Sequence, residues 1–137
     1  MNFRKDLKFG HKYESIAVSH FKGSKIDHPK DRKVYGYDFI VDGVKIEVKS
    51  DRIAYRTGNL AIEYESRGVP SGIMTTEADY YMYFIVRGST HECFKIPVKE
   101  LKELCPKYGR DIIGGDFKTS RMYLINRRHI NKYLIKL

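Results

Sequence analysis

The sequence has few cysteines and no long apolar segment, and each of these absences excludes a class of protein. Its two cysteines, Cys93 and Cys105, lack the short spacing of a zinc site, and the five histidines are also scattered. We therefore expect no zinc site and two reduced, buried thiols. No apolar run approaches the roughly 20 residues that span a membrane, and the N-terminal segment lacks the apolar core of a secretory signal. These features favour a cytoplasmic protein with no membrane partner.

The length and composition are typical of one globular domain. The chain has 137 residues, of which 42% are hydrophobic and 31% are charged. It contains no internal repeat and no low-complexity tract. We expect residues 1–137 to form a single domain.

The charge of the chain is strongly positive. Its 26 lysines and arginines outnumber 17 aspartates and glutamates, which gives a formal net charge of +9. Basic surfaces bind phosphate backbones because binding releases counterions. The charge predicts a polyanionic partner, and by itself it leaves DNA, RNA and an acidic protein open.

Residues 35–50, YGYDFIVDGVKIEVKS, are the most informative segment. Two alternating apolar runs flank Asp42 and Gly43, which is the pattern of a β-hairpin with a two-residue turn. The resulting pairs are Val41 with Val44, Ile40 with Lys45, Phe39 with Ile46, Asp38 with Glu47 and Tyr37 with Val48. Opposed residues have Cβ atoms roughly 5 Å apart, and like charges in such a pair destabilise a sheet. The register therefore predicts a cation between Asp38 and Glu47.

The alternation also predicts which side chains of the hairpin share a face. One face is expected to be core, and it carries Tyr35, Tyr37, Phe39, Val41, Val44, Ile46 and Val48. The other face is expected to be polar, and it carries Gly36, Asp38, Ile40, Lys45, Glu47 and Lys49. Gly36 lies opposite Lys49 in this register, which leaves room for a backbone phosphate.

The polar face has the composition of a metal-dependent phosphodiesterase site. Mg²⁺ prefers oxygen ligands and keeps several waters, so Asp38, Glu47 and the carbonyl of Val48 are a sufficient protein shell, and Mn²⁺ is expected to substitute. Lys49 is expected to orient the attacking water or to stabilise charge on the phosphate. The alternative interpretation is a solvated strand face, since exposed strands normally carry alternating charges.

These residues resemble a known family. An acid on one strand and Glu-Val-Lys on the next (Asp38, Glu47, Val48 and Lys49), after a helix that carries Glu14, resemble the PD-(D/E)XK nuclease superfamily. The resemblance implies an αβββαβ core, divalent-metal catalysis and a role for Glu14 as an additional acid near the metal. The sequence departs from the named pattern at Tyr37, where the pattern has proline.

Two branches of the superfamily share further features with the chain. The helix, the hairpin and the positive charge resemble archaeal Holliday junction resolvases. The segment GNLAIEYESRGVPSGIMTTEADYY resembles a block in phage-type and restriction-type members. The features leave both branches open.

Apolar spacing and turn residues predict the remaining elements. An amphipathic helix is expected over Asp6–Phe21, an exposed basic loop over Lys22–Lys33, and a third strand over Gly58–Glu65 beside the hairpin. Further along, we expect a polar loop over Asp51–Gly58, a long loop over Ser66–Thr76, a second hairpin over Tyr80–Arg87 and Glu92–Ile96, a helix from Pro97 to about Leu104, a strand over Arg121–Ile125 and a basic terminal helix capped by Asn126. This order predicts an α/β fold with a mixed central sheet flanked by helices.

Several other side chains are candidates for the site or for the DNA contact. Glu63 is a possible additional acid on the polar face of the third strand, or it is solvated. Loop and terminal residues suited to phosphate contacts are Arg52, Arg56, Arg67, Ser71, Thr75, Arg127, Arg128 and Lys132. Thr76 either joins them or caps a helical turn. Turn or cap roles are expected for Asp79, Asp111 and Asp116.

Together these features predict a Mg²⁺-dependent DNA endonuclease. The size of the chain favours structure-selective cleavage over sequence-specific cleavage of the restriction or homing type, because base readout requires more protein. One site per chain suggests a homodimer for cutting both strands. The alternative from another class is a non-catalytic nucleic-acid-binding module whose acids are structural.

Overall fold

The structure is a computed structural model that describes residues 3–30, 36–114 and 118–137, with side chains from residue 8 onward. In chain order its elements are α1 (Phe3–His20), β1 (Ile26–Asp27), β2 (Phe39–Val41), β3 (Val44–Asp51), α2 (Ala54–Thr57), β4 (Asn59–Ser66), β5 (Val69–Pro70), β6 (Tyr80–Arg87), β7 (Thr90–Pro97), α3 (Val98–Tyr108), β8 (Arg110–Gly114), β9 (Ser120–Asn126) and β10 (Leu134–Ile135). Short 3₁₀ turns lie at Gly72–Met74, Arg127–His129 and Asn131–Tyr133. The predictions for Tyr35, for Asp116 and for the end of the basic loop at Lys33 fall outside the described residues.

The strands form two sheets. A six-stranded sheet has the order β1-β2-β3-β6-β7-β10, and a four-stranded sheet has the order β5-β4-β9-β8. β3 and β6 are parallel, whereas the other neighbours in the larger sheet are antiparallel. The fold is therefore mixed α/β with a mixed sheet, as the sequence predicts.

The predicted hairpin turn is confirmed. β2 and β3 pair Val41 with Val44, Ile40 with Lys45 and Phe39 with Ile46. Asp42 and Gly43 have φ angles of 48° and 84°, the left-handed values that a two-residue hairpin turn of type I′ requires.

The predicted place of the third strand is wrong. β4 forms where a strand was expected, but it lies in the second sheet, and β6 takes the place beside β3. The reason lies in residues 51–58, which form α2 and end at Gly58 with a left-handed φ of 73° instead of a simple loop. This turn leads the chain out of the first sheet, so that Leu60 and Ile62 of β4 are buried in a core shared with the first sheet.

Both faces of the six-stranded sheet are covered. On one face α1 contributes Tyr13 and Ala17 to a core with Phe39, Ile46 and Phe84. On the other face the four-stranded sheet and α3 enclose a second core. Its members include Leu60, Ile62, Ile73, Tyr81, Tyr83, Ile96, Leu101 and Ile125. The face predicted to be polar therefore looks toward the second sheet, where Lys45, Glu47 and Lys49 are partly buried.

The helical predictions hold in part. α1 and α3 lie where helices were expected, with Pro97 directly before α3. The predicted terminal helix is wrong, because residues 127–135 form two 3₁₀ turns and then β10, which pairs with Phe94 and Cys93 of β7. The Asn126 side chain does cap the first of these turns by accepting from the Arg128 N–H at 3.1 Å. None of the described helices is long and apolar enough to cross a membrane.

The two cysteines are free and buried, as predicted. Burial raises the pKa of each thiol to about 12, because the thiolate is poorly solvated inside the protein. Both thiols are therefore protonated and unreactive at neutral pH.

Tyr83 joins the two sheets, and we expect Tyr83→Phe to destabilise the protein. Its buried hydroxyl donates to Asp51 Oδ2 at 2.6 Å and accepts from the N–H of Ala61 on β4 at 3.2 Å. Removing the hydroxyl leaves both groups without this partner, which costs about 1–3 kcal/mol of unfolding free energy. Urea denaturation measures the loss, with Tyr55→Phe, whose side chain is 44% exposed, as the control. Equal midpoints for the two variants would contradict the bridging role.

The pair of Arg127 with Glu92 predicts a pH-dependent contribution to stability. Two guanidinium nitrogens donate to the Glu92 carboxylate at 2.7 and 2.8 Å and lower the pKa of Glu92. Because this pKa is depressed by folding, the contribution is present above the unfolded value of about 4.3 and is lost as pH falls through the folded value. Glu92→Gln is expected to cost about 0.5 kcal/mol at pH 7, the size of a partly exposed pair. Thermal denaturation of wild type and Glu92→Gln at pH 7 and pH 3 measures the stability difference between them. A difference at pH 3 as large as that at pH 7 would contradict the prediction.

Candidate active site

Asp38 was predicted to pair with Glu47 across the hairpin, but in the structure it contacts the neighbouring residue, Val48. The ladder of the hairpin ends at Phe39 and Ile46, where the Asp38 N–H donates to the Ile46 carbonyl at 2.8 Å. The Asp38 carboxylate then accepts from the N–H of Val48 at 2.7 Å. Asp38 is therefore not a ladder partner of Glu47, and its carboxylate lies at the residue that follows Glu47.

This irregularity changes the face on which the preceding residue lies. Tyr37 was expected to share the core face with Phe39, and this is wrong. Tyr37 is buried in the core between the two sheets, with Lys45 Nζ at 5.3 Å from its ring centroid. The Asp38 N–H donates to the carbonyl of Ile46, the residue already paired with Phe39, and this irregular end of the ladder turns the chain as a β-bulge does.

Glu47 and Lys49 share the face of β3 that looks toward the second sheet. Lys49 Nζ lies 3.0 Å from Glu47 Oε1, and the Glu47 side chain is only 15% exposed, whereas that of Lys49 is 43% exposed. Burial, the Glu47 charge and a hydrogen bond to Glu47 raise the pKa of Tyr81, which keeps its hydroxyl as a donor. Glu47 is thus a partly buried carboxylate whose charge is balanced by Lys49.

Thr76 holds this carboxylate in place from the other side. Its hydroxyl lies 2.9 Å from Glu47 Oε2, contacts the Gly36 carbonyl and accepts from the Ala78 N–H at 3.1 Å. Gly36 is required for this approach, because it has a φ of 61° and a Cβ there would lie 3.1 Å from Thr76 Cα. The sequence showed Thr76 only as a cap or a DNA contact, and its role at Glu47 depends on contacts between distant segments.

Glu63 approaches the same region from the second sheet. It lies on β4 at a register shift against β9, and it accepts a 3.0 Å hydrogen bond from the Ser71 hydroxyl. Its charge contributes to the raised pKa of Tyr81 together with that of Glu47. The two acids therefore influence one buried hydroxyl, and the structure brings the predicted additional acid toward the predicted pair.

The backbone of Val48 completes a set of oxygens suited to a divalent cation. The N–H and C=O of one strand residue point to the same side, so the Val48 carbonyl lies on the edge where Asp38 binds the Val48 N–H. Among residues 3–30, 36–114 and 118–137, no three His, Cys, Asp or Glu side chains gather at one point. Two carboxylates, a carbonyl and waters fit Mg²⁺, which needs few protein ligands.

Glu14 lies on the helix that covers the face of β3 opposite to that of Glu47. It is half-buried on α1, and α1 packs on the face that carries Ile46 and Val48. The role of Glu14 as an additional acid near the metal stays a prediction.

A cleft of about 470 Å³ opens beside Lys49. Phe9, Lys49, Ser50, Arg52 and Tyr83 are among the residues that line it. The Arg52 guanidinium carbon lies 4.1 Å from the Phe9 ring centroid, which holds this charge over the cleft. Lys49 and Arg52 therefore present two cations to one opening, which Asp51 also lines.

The other predicted DNA contacts are dispersed. Arg56 is exposed on α2, and Arg67 is exposed at the turn between β4 and β5. Ser71 binds Glu63, and Thr75 is exposed next to Thr76. The C-terminal candidates lie away from the cleft, with Arg127 paired to Glu92 of β7 and with Arg128 and Lys132 exposed in the two 3₁₀ turns.

The remaining aspartates differ in outcome. Asp79 lies at a bend directly before β6, as expected of a turn residue, and its carboxylate also accepts from the Lys45 N–H of β3 at 2.9 Å. Asp111 does not have a turn role, since it lies in β8, accepts from the Tyr64 hydroxyl and pairs with Arg121 at 3.9 Å.

Comparison of the chain with protein-family models, with curated proteins and with solved structures finds no significant match.

Gly72 positions the Ser71–Glu63 contact, and we expect Gly72→Ala to disrupt it. Gly72 has a φ of 52°, and a Cβ there would lie 2.2 Å from the Glu63 carbonyl oxygen. Gly68→Ala is the matched control, because Gly68 has a φ of 80° and open space at its Cβ position. Gly68→Ala is expected to cost about 1 kcal/mol of unfolding free energy and Gly72→Ala at least about 2–3 kcal/mol, since a clash is added to the strain. Equal losses in urea denaturation would contradict the close approach.

Proposed function

We propose that this protein is a Mg²⁺-dependent DNA endonuclease that hydrolyses phosphodiester bonds. The observation that carries the proposal is the arrangement of Asp38, Glu47 and Lys49 around Val48. One carboxylate lies on the Val48 N–H, the second carboxylate precedes Val48, and the lysine that follows lies 3.0 Å from that second carboxylate.

The oxygens at this edge suit the cofactor. Asp38, Glu47 and the Val48 carbonyl would hold Mg²⁺, or Mn²⁺ in its place, with Glu63 on the second sheet and Glu14 on α1 as the further acids of the proposal. When bound, the metal supplies charge neutralisation for the phosphate and a water of lowered pKa.

The chain's own side chains have separate tasks in this proposal. Lys49 is 43% exposed at the mouth of the cleft, so its ammonium is accessible to a phosphate oxygen while it remains close to Glu47. Thr76 restrains the second Glu47 oxygen, which limits the rotamers of that carboxylate. Arg52 lies over the same cleft and is suited to the adjacent phosphate.

DNA is the proposed partner because charge and site agree. The formal net charge of +9 favours a polyanion, and the cleft beside Lys49 carries two cations. We further propose the αβββαβ core of the PD-(D/E)XK nucleases, with β6 instead of β4 beside the hairpin. Structure-selective cleavage fits this small domain better than sequence-specific cleavage, and cutting two strands would require a homodimer.

Cleavage assays with matched lysine variants test the function. Labelled four-way junction, flap, duplex and single-stranded DNA are incubated with Mg²⁺, with Mn²⁺ or with EDTA. Wild type is expected to cut at least one of them only with the metal, and Lys49→Ala, Glu47→Gln and Asp38→Asn are expected to lose at least about 100-fold in rate. Lys45→Ala is the control, because Lys45 lies on the same strand and face but pairs with Glu77 at 3.7 Å.

Two results would reject the nuclease. Equal cleavage by wild type and Lys49→Ala would assign the activity to a contaminant. DNA binding that is unaffected by Mg²⁺, without scission of any substrate, would favour the alternative of a non-catalytic nucleic-acid-binding module.

A further inference from the structure

Tyr55 lies on the surface next to the candidate active site, between two arginines. It is on α2, which directly follows β3, and its side chain is 44% exposed. The guanidinium carbons of Arg56 and Arg87 lie 6.0 and 5.8 Å from its ring centroid. Ile53, before α2, is 60% exposed and extends the apolar part of this surface.

The two arginines retain their charge for a partner. Among the described residues, no carboxylate forms an ion pair with Arg56 or Arg87. The nearby Arg127 is different, because Glu92 neutralises it. An aromatic ring with two guanidinium groups within about 6 Å of it suits a nucleotide, which has a planar base and negative phosphates beside it.

A cavity beside Tyr55 has the size for such a group. Its volume is about 330 Å³, and Tyr55, Ile85, Arg87 and Thr90 are among the residues that line it. This volume is at the lower end of the range of roughly 300–1,000 Å³ for ligand pockets. An aromatic wall, an aliphatic wall and a hydroxyl suit a single base, and Arg87 adds a cation next to the ion pair of Arg127 with Glu92, which also lines the cavity.

The position of α2 relative to the cleft is fixed. Asp51 Oδ1 accepts from the N–H groups of Ile53 and Ala54 at 2.7 and 3.0 Å, so α2 is attached to the end of β3. Ile53 lines the cleft that Lys49 shares, and Tyr55 lines the neighbouring cavity. A DNA strand in the cleft would therefore continue over α2.

We infer that the surface of Ile53, Tyr55, Arg56 and Arg87, here called the Tyr55 surface, binds an unpaired nucleotide of the substrate. Its base stacks on Tyr55, and the adjacent phosphates contact the two arginines. The inference rests on the proposed function for the choice of DNA, and it deepens that function. The substrate class is DNA with unpaired nucleotides next to the scissile phosphate, such as a flap or an open junction, and not a continuous duplex.

Binding in EDTA tests the surface apart from cleavage. A short single-stranded oligonucleotide with 2-aminopurine reports stacking by its fluorescence, and anisotropy gives the affinity. Tyr55→Ala is expected to weaken single-strand binding about tenfold and to abolish the 2-aminopurine quenching, because one stacked base contributes about that much. Tyr55→Phe is expected to keep both signals, since the ring remains, and duplex binding is expected to be unchanged in both variants.

Tyr108→Ala is the matched control. Tyr108 is 45% exposed and has Lys107 5.1 Å from its ring, but His129 already stacks on one face of this ring with the centroids 4.3 Å apart. Arg87→Gln is a second variant that keeps Tyr55, and it is expected to weaken single-strand binding with a smaller dependence on salt.

The outcomes separate this inference from the proposed function. Unchanged single-strand binding by Tyr55→Ala, or an equal loss on single strands and duplex, overturns the Tyr55 surface. In either case Lys49-dependent cleavage in Mg²⁺ still decides the nuclease. A Tyr55-dependent single-strand signal without cleavage would retain the surface and reject the catalytic assignment.

Discussion

The hydrogen bond from the Val48 N–H to the Asp38 carboxylate is the contact on which the arrangement of the site depends. At this point the side chain of Asp38 replaces the backbone partner that a longer β2 would have provided. The sheet edge stays open beside Val48, and a second carboxylate, Glu47, lies next to it. The same irregular end of the hairpin directs Tyr37 into the core between the two sheets, away from the core of Phe39.

The site also requires that two sheets meet. Glu47 and Lys49 lie on the larger sheet, and Glu63 lies on the smaller one. Tyr83, Thr76 and Gly72 hold the sheets and the intervening segment together through side-chain hydrogen bonds and one close backbone approach. A local distortion at any of these three residues would therefore affect the candidate active site, although among them only Thr76 contacts the Glu47 carboxylate.

Charge balance explains why a partly buried acid is stable at this place. Glu47 has a lysine on one oxygen, a threonine hydroxyl on the other and a tyrosine hydroxyl nearby. Lys49 and the Tyr81 hydroxyl donate to this carboxylate, and the Thr76 hydroxyl contacts its second oxygen, so a carboxylate that is only 15% exposed has polar partners on both oxygens. Arg52 and, on α2, Arg56 follow this site in the chain.

Local rules of the chain determined much of this protein. The Asp-Gly turn, the alternation of β3 that places Glu47 and Lys49 on one face, both predicted hairpins and the helices α1 and α3 follow from interactions between residues close in sequence. Tertiary structure decided the sheet of β4, the conversion of the expected terminal helix into β10, the face of Tyr37 and the role of Thr76. These features depend on contacts between distant segments, whose burial and hydrogen bonding outweigh the local preferences, and no periodicity in the sequence records which segments will meet.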